Sequence, residues 1–290
     1  MHQRRVARWL AAVCALLLGL GLGAAAGAAP NKPAIVLTAF GTSTAAFATY
    51  RHIEGQAKER FPGYEIRWAF TSQKVRAKVM HEQAKELKDL PQTLRDLKAA
   101  GFTRVAVQSL HVVPGAEWEE VVRESKRVPG LRVALGQPLL SSQADRIWVL
   151  KALARNFPQD LKHHAVVLVG HGSPTRQGQA AYADWARLVR ARYPDQNVFF
   201  GVVEGQPSKA AALAAVRQSG ADTVVFVPFL LVAGEHVDQD ILGDRPDSWK
   251  SQLLQTGKYR LEGVRKGLGY QDGVVRLYLD HLDEALQILQ

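Results

Sequence analysis

The feature that most restricts the fold of this chain is a pattern of strands that occurs twice, in the same order. Ala34–Ser43 (AIVLTAFGTS) is matched by Ala165–Pro174 (AVVLVGHGSP). Tyr64–Phe70 corresponds to Asn197–Val203, Leu97–Val105 to Val216–Val224, Val105–Glu117 to Val224–His236, and Leu131–Leu135 to Tyr259–Gly263, at offsets of 119 to 133 residues. The strands are short and apolar on both faces, the pattern of parallel strands covered on both sides. Helical stretches separate them at Thr44–Arg60, Lys74–Ala100 (interrupted near Pro91), Glu117–Lys126 and Ala144–Asn156. Strand–helix alternation predicts an α/β fold of two similar parallel-sheet halves from an internal duplication, 31–160 and 161–290, with a cleft between them.

The first 28 residues stand apart from this pattern. Arg4, Arg5 and Arg8 precede an apolar core from Leu10 to Leu22, followed by small residues ending in Ala26-Gly27-Ala28. A basic start, a short apolar core and an A-x-A site are the parts of a secretory signal peptide. The core of 13 residues falls short of the ~20 a spanning helix needs, and no later segment is long and apolar enough to span a membrane. The expected location is the periplasm after cleavage. Without residues 1–28, 262 of the 290 residues remain, and the loss of three arginines takes the formal charge from +10 to +7. The only cysteine, Cys14, leaves with the leader, so the remaining chain has neither a disulfide nor a thiolate. No Lys/Arg run marks a nucleic-acid surface, whereas a mild positive charge suits a polyanionic small molecule.

Ligands of parallel α/β sheets bind beyond the carboxyl ends of the strands. Three such ends in the second half carry chemistry: His171 in Gly170-His171-Gly172, Glu204 after Asn197–Val203, and His236 in Ala233-Gly234-Glu235-His236. The first half has Phe40, Thr71 and Glu117 at the matching positions, so Glu117 is expected on the facing wall. Two imidazoles and a carboxylate suit a borderline divalent ion such as Co2+, Ni2+, Fe2+ or Zn2+, and the same groups accept protons near neutral pH. His111 reads either as a core histidine or as a cleft-edge group. His163-His164 reads as a solvated pair, and His52, His81 and His281 as surface residues of helices. Lys74, Arg76 and Lys78 read either as contacts to an anionic substrate or as a solvated helix face. No G-x-x-x-x-G-K-[ST], G-x-G-x-x-G or G-x-S-x-G motif is present, so nucleotide sites and a serine-hydrolase elbow are unsupported.

The ordered motifs Phe40-Gly-Thr-Ser43, Ala69-Phe-Thr-Ser72, Gln108-Ser-Leu-His111, Gly136-Gln-Pro-Leu-Leu140, Gly170-His-Gly172, Val203-Glu-Gly205, Leu231-Val-Ala-Gly234 and Asp247-Ser-Trp-Lys250 resemble the class II tetrapyrrole chelatases, in particular the anaerobic-type sirohydrochlorin cobaltochelatases of cobalamin biosynthesis. The resemblance implies two α/β halves around a cleft and insertion of Co2+ into a tetrapyrrole, with Fe2+ as a further metal. It implies metal binding by His171, Glu204 and His236, with His171 and His236 as catalytic histidines and His171 favoured to take the pyrrole protons. The metal is then a substrate, and no organic cofactor is required. The resemblance leaves open haem as an added ligand and a homo-oligomer. An export signal is unusual among such enzymes, which opens a second reading: an exported haem or metal carrier that keeps the fold.

Overall fold

The computed structural model describes residues 31–255 and 259–290. The leader expected at residues 1–28 lies outside the described residues.

Among the described residues eight strands form two four-stranded parallel sheets. In the first, β1 (Ala34–Ala39), β2 (Ile66–Phe70), β3 (Arg104–Ser109) and β4 (Arg132–Gly136) lie in the order β2-β1-β3-β4. In the second, β5 (His164–Gly172), β6 (Val198–Glu204), β7 (Thr223–Phe229) and β8 (Arg260–Gly263) lie in the order β6-β5-β7-β8. The same strand order in both sheets matches the repeat in the sequence, and all pairings within each sheet are parallel.

The helices are α1 (Ala48–Arg60), α2 (Gln73–Gln83), α3 (Leu90–Ala99), α4 (Ala116–Glu124), α5 (Gln143–Ala154), α6 (Arg176–Arg192), α7 (Lys209–Gln218), α8 (Trp249–Leu254) and α9 (Asp272–Ile288). The stretch expected to be helical over Lys74–Ala100 divides into α2 and α3. The break falls at Ala84–Asp89, where Ala84 is left-handed (φ +49°). Pro91 itself sits in the first turn of α3, where its missing N–H costs nothing, behind an Asp89/Gln92 capping box.

Each sheet is buried on both faces because successive strand residues point to opposite sides. Ile35 and Leu37 of β1, with Val166 and Leu168 of β5, belong to one continuous core shared by the two halves. Their neighbours face the other way, Ala34 and Val36 under α3 and α4, and Ala165, Val167 and Val169 under α7 and α8. Within the shared core Trp185 of α6 is fully buried and stacks on Phe229, ring centroids 4.5 Å apart.

The carboxyl-terminal helix α9 lies in the second half by sequence but packs on β3 and β4 of the first sheet. Its apolar face carries Val274, Tyr278, Leu282 and Ala285, all buried. The Tyr278 hydroxyl donates to the Leu110 and His111 carbonyls at 3.0 and 3.2 Å. His281 lies on the same face and is buried, contrary to its expected place on a helix surface. Its Nδ1 is 3.0 Å from the Gln137 carbonyl and its Nε2 3.3 Å from Asp145 Oδ1. The spacing from Tyr278 and Leu282 puts it on the core side, and these two acceptors satisfy its polar atoms there.

Candidate functional site

The carboxyl edge of the second sheet is shaped by one glycine. Gly172 ends β5 at φ +104°, and a Cβ there would sit 1.8 Å from the Glu204 carbonyl oxygen. Only glycine accepts both that backbone conformation and that approach, so β5 and β6 stay paired to their last residues, Gly172 level with Glu204. His171 therefore stands half-buried one position short of the edge.

His236 reaches the same place from the other side of β5. After β7 the chain turns at Gly234, whose carbonyl accepts from the Val237 and Asp238 amides, and His236 opens a π-helical turn, His236–Ile241. The His171 and His236 rings meet edge to face, centroids 4.7 Å apart with planes at 81°. Asp240, four residues after His236, places Oδ2 2.6 Å from His236 Nδ1. Arg245 Nη1 lies 3.9 Å from the other Asp240 oxygen. The carboxylate engages Nδ1, so that a metal arriving there would meet Nε2, the usual arrangement behind a metal-binding imidazole.

The structure thus brings together two of the three expected ligands. Glu204 is exposed at the end of β6. It is level with Gly172 and one residue beyond His171. Among the described residues no three His, Asp or Glu side chains are close enough to hold one ion. Glu117 starts α4 on the facing half. A Cβ on the preceding Gly115 would lie 2.9 Å from Ser173 Oγ, so the start of α4 abuts the loop after β5. Beneath lies Tyr182. Burial raises its phenol pKa, the Gly172 and His171 backbone opposes that rise, and the Glu117 charge adds to it.

The other candidates have structural partners or lie in solvent. His111 is a core histidine, buried between Ser109 Oγ at 3.0 Å and Thr71 Oγ1 at 3.3 Å. Burial pushes its pKa down to about 4, so it is neutral at pH 7. Arg76 donates to the Phe70 and Thr71 carbonyls, while Lys74 and Lys78 are exposed. His163 is a solvated partner of Asp160. Phe40, the counterpart of His171, projects 47% exposed beyond β1. Asp240 escaped the sequence reading; the signal was present as a carboxylate at i+4 from His236, the spacing of one helical face.

A protein-family model described as cobalt chelatase (CbiK) matches residues 33–287. The sirohydrochlorin cobaltochelatase CbiKC of Nitratidesulfovibrio vulgaris is 34% identical over 265 residues, covering 89% of this chain and 92% of that protein. The sirohydrochlorin cobaltochelatase of Salmonella typhimurium is 31% identical over 262 residues, covering 89% and 97%. Among solved structures, SirB from Bacillus subtilis with Fe3+ superposes with a TM-score of 0.61 at 18% identity over 88% of this chain and 96% of that one. That last likeness is one of fold.

Proposed function

This chain belongs to the cobalt chelatase family whose model its residues 33–287 match, and on that premise we propose that it is a sirohydrochlorin cobaltochelatase, inserting Co2+ into the macrocycle with release of the pyrrole protons. The observation that carries the mechanism is the edge-to-face pair of His171 and His236 at the carboxyl edge of the second sheet.

In this reading Co2+ is a substrate, held between the two imidazoles against one face of the macrocycle. Glu204, exposed at the end of β6, swings toward the rings to complete the set. Imidazole and carboxylate without thiolate hold such an ion moderately, as suits a metal that must be passed on. Asp240 fixes His236 as a ligand. His171 has no carboxylate hydrogen-bonded to it among the described residues; as Co2+ passes from it to the macrocycle, its released nitrogen takes one pyrrole proton and the second goes to solvent water. Insertion requires no organic cofactor. The composition of residues 1–28 supports export to the periplasm before the enzyme works there.

The test is direct. Purified protein is mixed with sirohydrochlorin and Co2+, and the absorbance change is compared with the uncatalysed rate. Wild type should accelerate insertion, and His171→Ala and His236→Ala should each abolish the acceleration while the fold survives. Insertion at the wild-type rate in both variants would sink the mechanism. Tight tetrapyrrole binding without turnover in wild type would favour a carrier.

A further inference from the structure

The carboxyl edge of the second sheet continues past His236 to β8. Across that edge, in sheet order, lie Glu204 at the end of β6, His171 near the end of β5, His236 after β7, and Arg265 with Lys266 after β8. The β8 end is held to the β7 end by the Val264, Leu268 and Gly269 amides, which donate to the Phe226, Leu230 and Leu231 carbonyls at 2.8–2.9 Å. Behind it Gly269 lies so close to α1 that a Cβ would sit 2.4 Å from Thr49 Cγ2. Arg265 and Lys266 thus stand on a backed segment, not a free loop. They line a pocket of about 350 Å³, which Thr44, Ala233, Asp238 and Tyr270 also line. One wall is therefore the segment after β1 in the first half, and the other is the loop leading to His236.

Both cations are exposed and neither is used up by its neighbours. Arg265 Nη1 pairs with Asp238 Oδ1 at 2.7 Å, which orients the guanidinium and leaves its other N–H groups without a partner among the described residues. Lys266 Nζ lies 5.7 Å from the centre of the Tyr270 ring, with no carboxylate bound to it among the described residues. From this juxtaposition we propose that Arg265 and Lys266 are the carboxylate anchors of the tetrapyrrole, taking peripheral acid side chains into the pocket and so setting the macrocycle over the His171–His236 pair. The inference rests on the chelatase reading for its ligand, a polycarboxylate tetrapyrrole. Such anchors hold substrate in the ground state and the transition state alike, so they act on KM more than on kcat.

The test uses the full-length Arg265→Gln/Lys266→Gln double variant, with Lys58→Gln/Lys162→Gln as a control that removes the same charge at the opposite edge of the fold. Metal-free uroporphyrin, a polycarboxylate tetrapyrrole, is titrated by fluorescence, and Co2+ insertion into sirohydrochlorin is followed in parallel. Loss of two charge-assisted bonds at a solvated rim should weaken uroporphyrin binding and raise KM about tenfold or more, with kcat within about twofold of wild type. Added salt should weaken wild type more than the double variant. Binding and KM equal to those of the control would overturn the proposal, as would failure of wild type to bind uroporphyrin. If wild type binds the porphyrin but inserts no Co2+, the chelatase reading fails while the titration still decides the role of the two cations.

Discussion

Asp240 Oδ2 lies 2.6 Å from Nδ1 of His236, on the same π-helical turn and with the carboxylate braced from behind by Arg245. This contact fixes the imidazole's orientation and directs Nε2 away from the carboxylate. Asp240→Asn keeps the shape and removes the charge. It should weaken Co2+ binding and insertion about 10–100-fold with little change in melting temperature, since the pair is partly exposed. Metal titration and insertion kinetics check this. An activity loss that merely tracks a loss of folded protein would assign Asp240 to stability instead.

Gly172 and Gly205 offer a matched comparison. Their φ angles are +104° and +105°, but a Cβ at Gly172 would meet the Glu204 carbonyl at 1.8 Å, whereas nothing lies within 4 Å of one at Gly205. Gly205→Ala should therefore show backbone strain alone, about 1–3 kcal/mol. Gly172→Ala must also part the ends of β5 and β6. It should cost more than the ~1–3 kcal/mol of strain and displace His171, so that insertion falls beyond what stability explains. Denaturant unfolding of both variants, beside their insertion rates, measures the difference. Equal losses at the two positions would mean that the strand edge gives way easily.

How much of this was legible in the sequence depended on the range of the interaction. The strand β1 could be recognised within Ala34–Ser43, because a run buried on both faces looks the same in any parallel sheet. The duplication could be read because both copies keep the strand order. That His171 and His236 would lie near each other could be read because each lies at or beyond a neighbouring strand's carboxyl end. His281 was misplaced because its burial depends on α9 crossing to the first sheet, a contact no local pattern encodes. Glu204 could be grouped with the histidines because it too ends a strand, level with Gly172. Asp240 was missed because a carboxylate at i+4 is common on any solvated helix.

Export gives a prediction that depends on the leader alone. If residues 1–28 act as the export signal proposed above, protein made from the whole 290-residue sequence in a bacterial host should be recovered in the periplasmic fraction and begin at Ala29. Amino-terminal sequencing of the fractionated protein reads both outcomes at once. Recovery of an uncleaved chain in the membrane fraction would make the segment an anchor.

The buried His281–Asp145 pair sets a pH dependence of stability. For His281, burial alone would lower the pKa, but the Asp145 hydrogen bond and charge, with the Gln137 carbonyl, outweigh it and leave it above its usual 6.5. For Asp145, burial alone would raise the pKa, but the hydrogen bonds from His281 and Ser142 hold it below its usual 3.8. A raised histidine stabilises fully below its unfolded pKa, and that contribution is lost as pH rises through the folded value. A lowered carboxylate stabilises above its unfolded pKa, and that contribution is lost as pH falls through the folded value. The pair therefore contributes most between about pH 4 and 6.5, and its share declines on the alkaline side. Thermal melts of wild type and His281→Gln at pH 6 and pH 8 should show the gap between them narrowing at pH 8. A gap of constant size across that interval would mean that His281 is neutral in the folded protein, holding α9 to the first sheet by its hydrogen bonds alone.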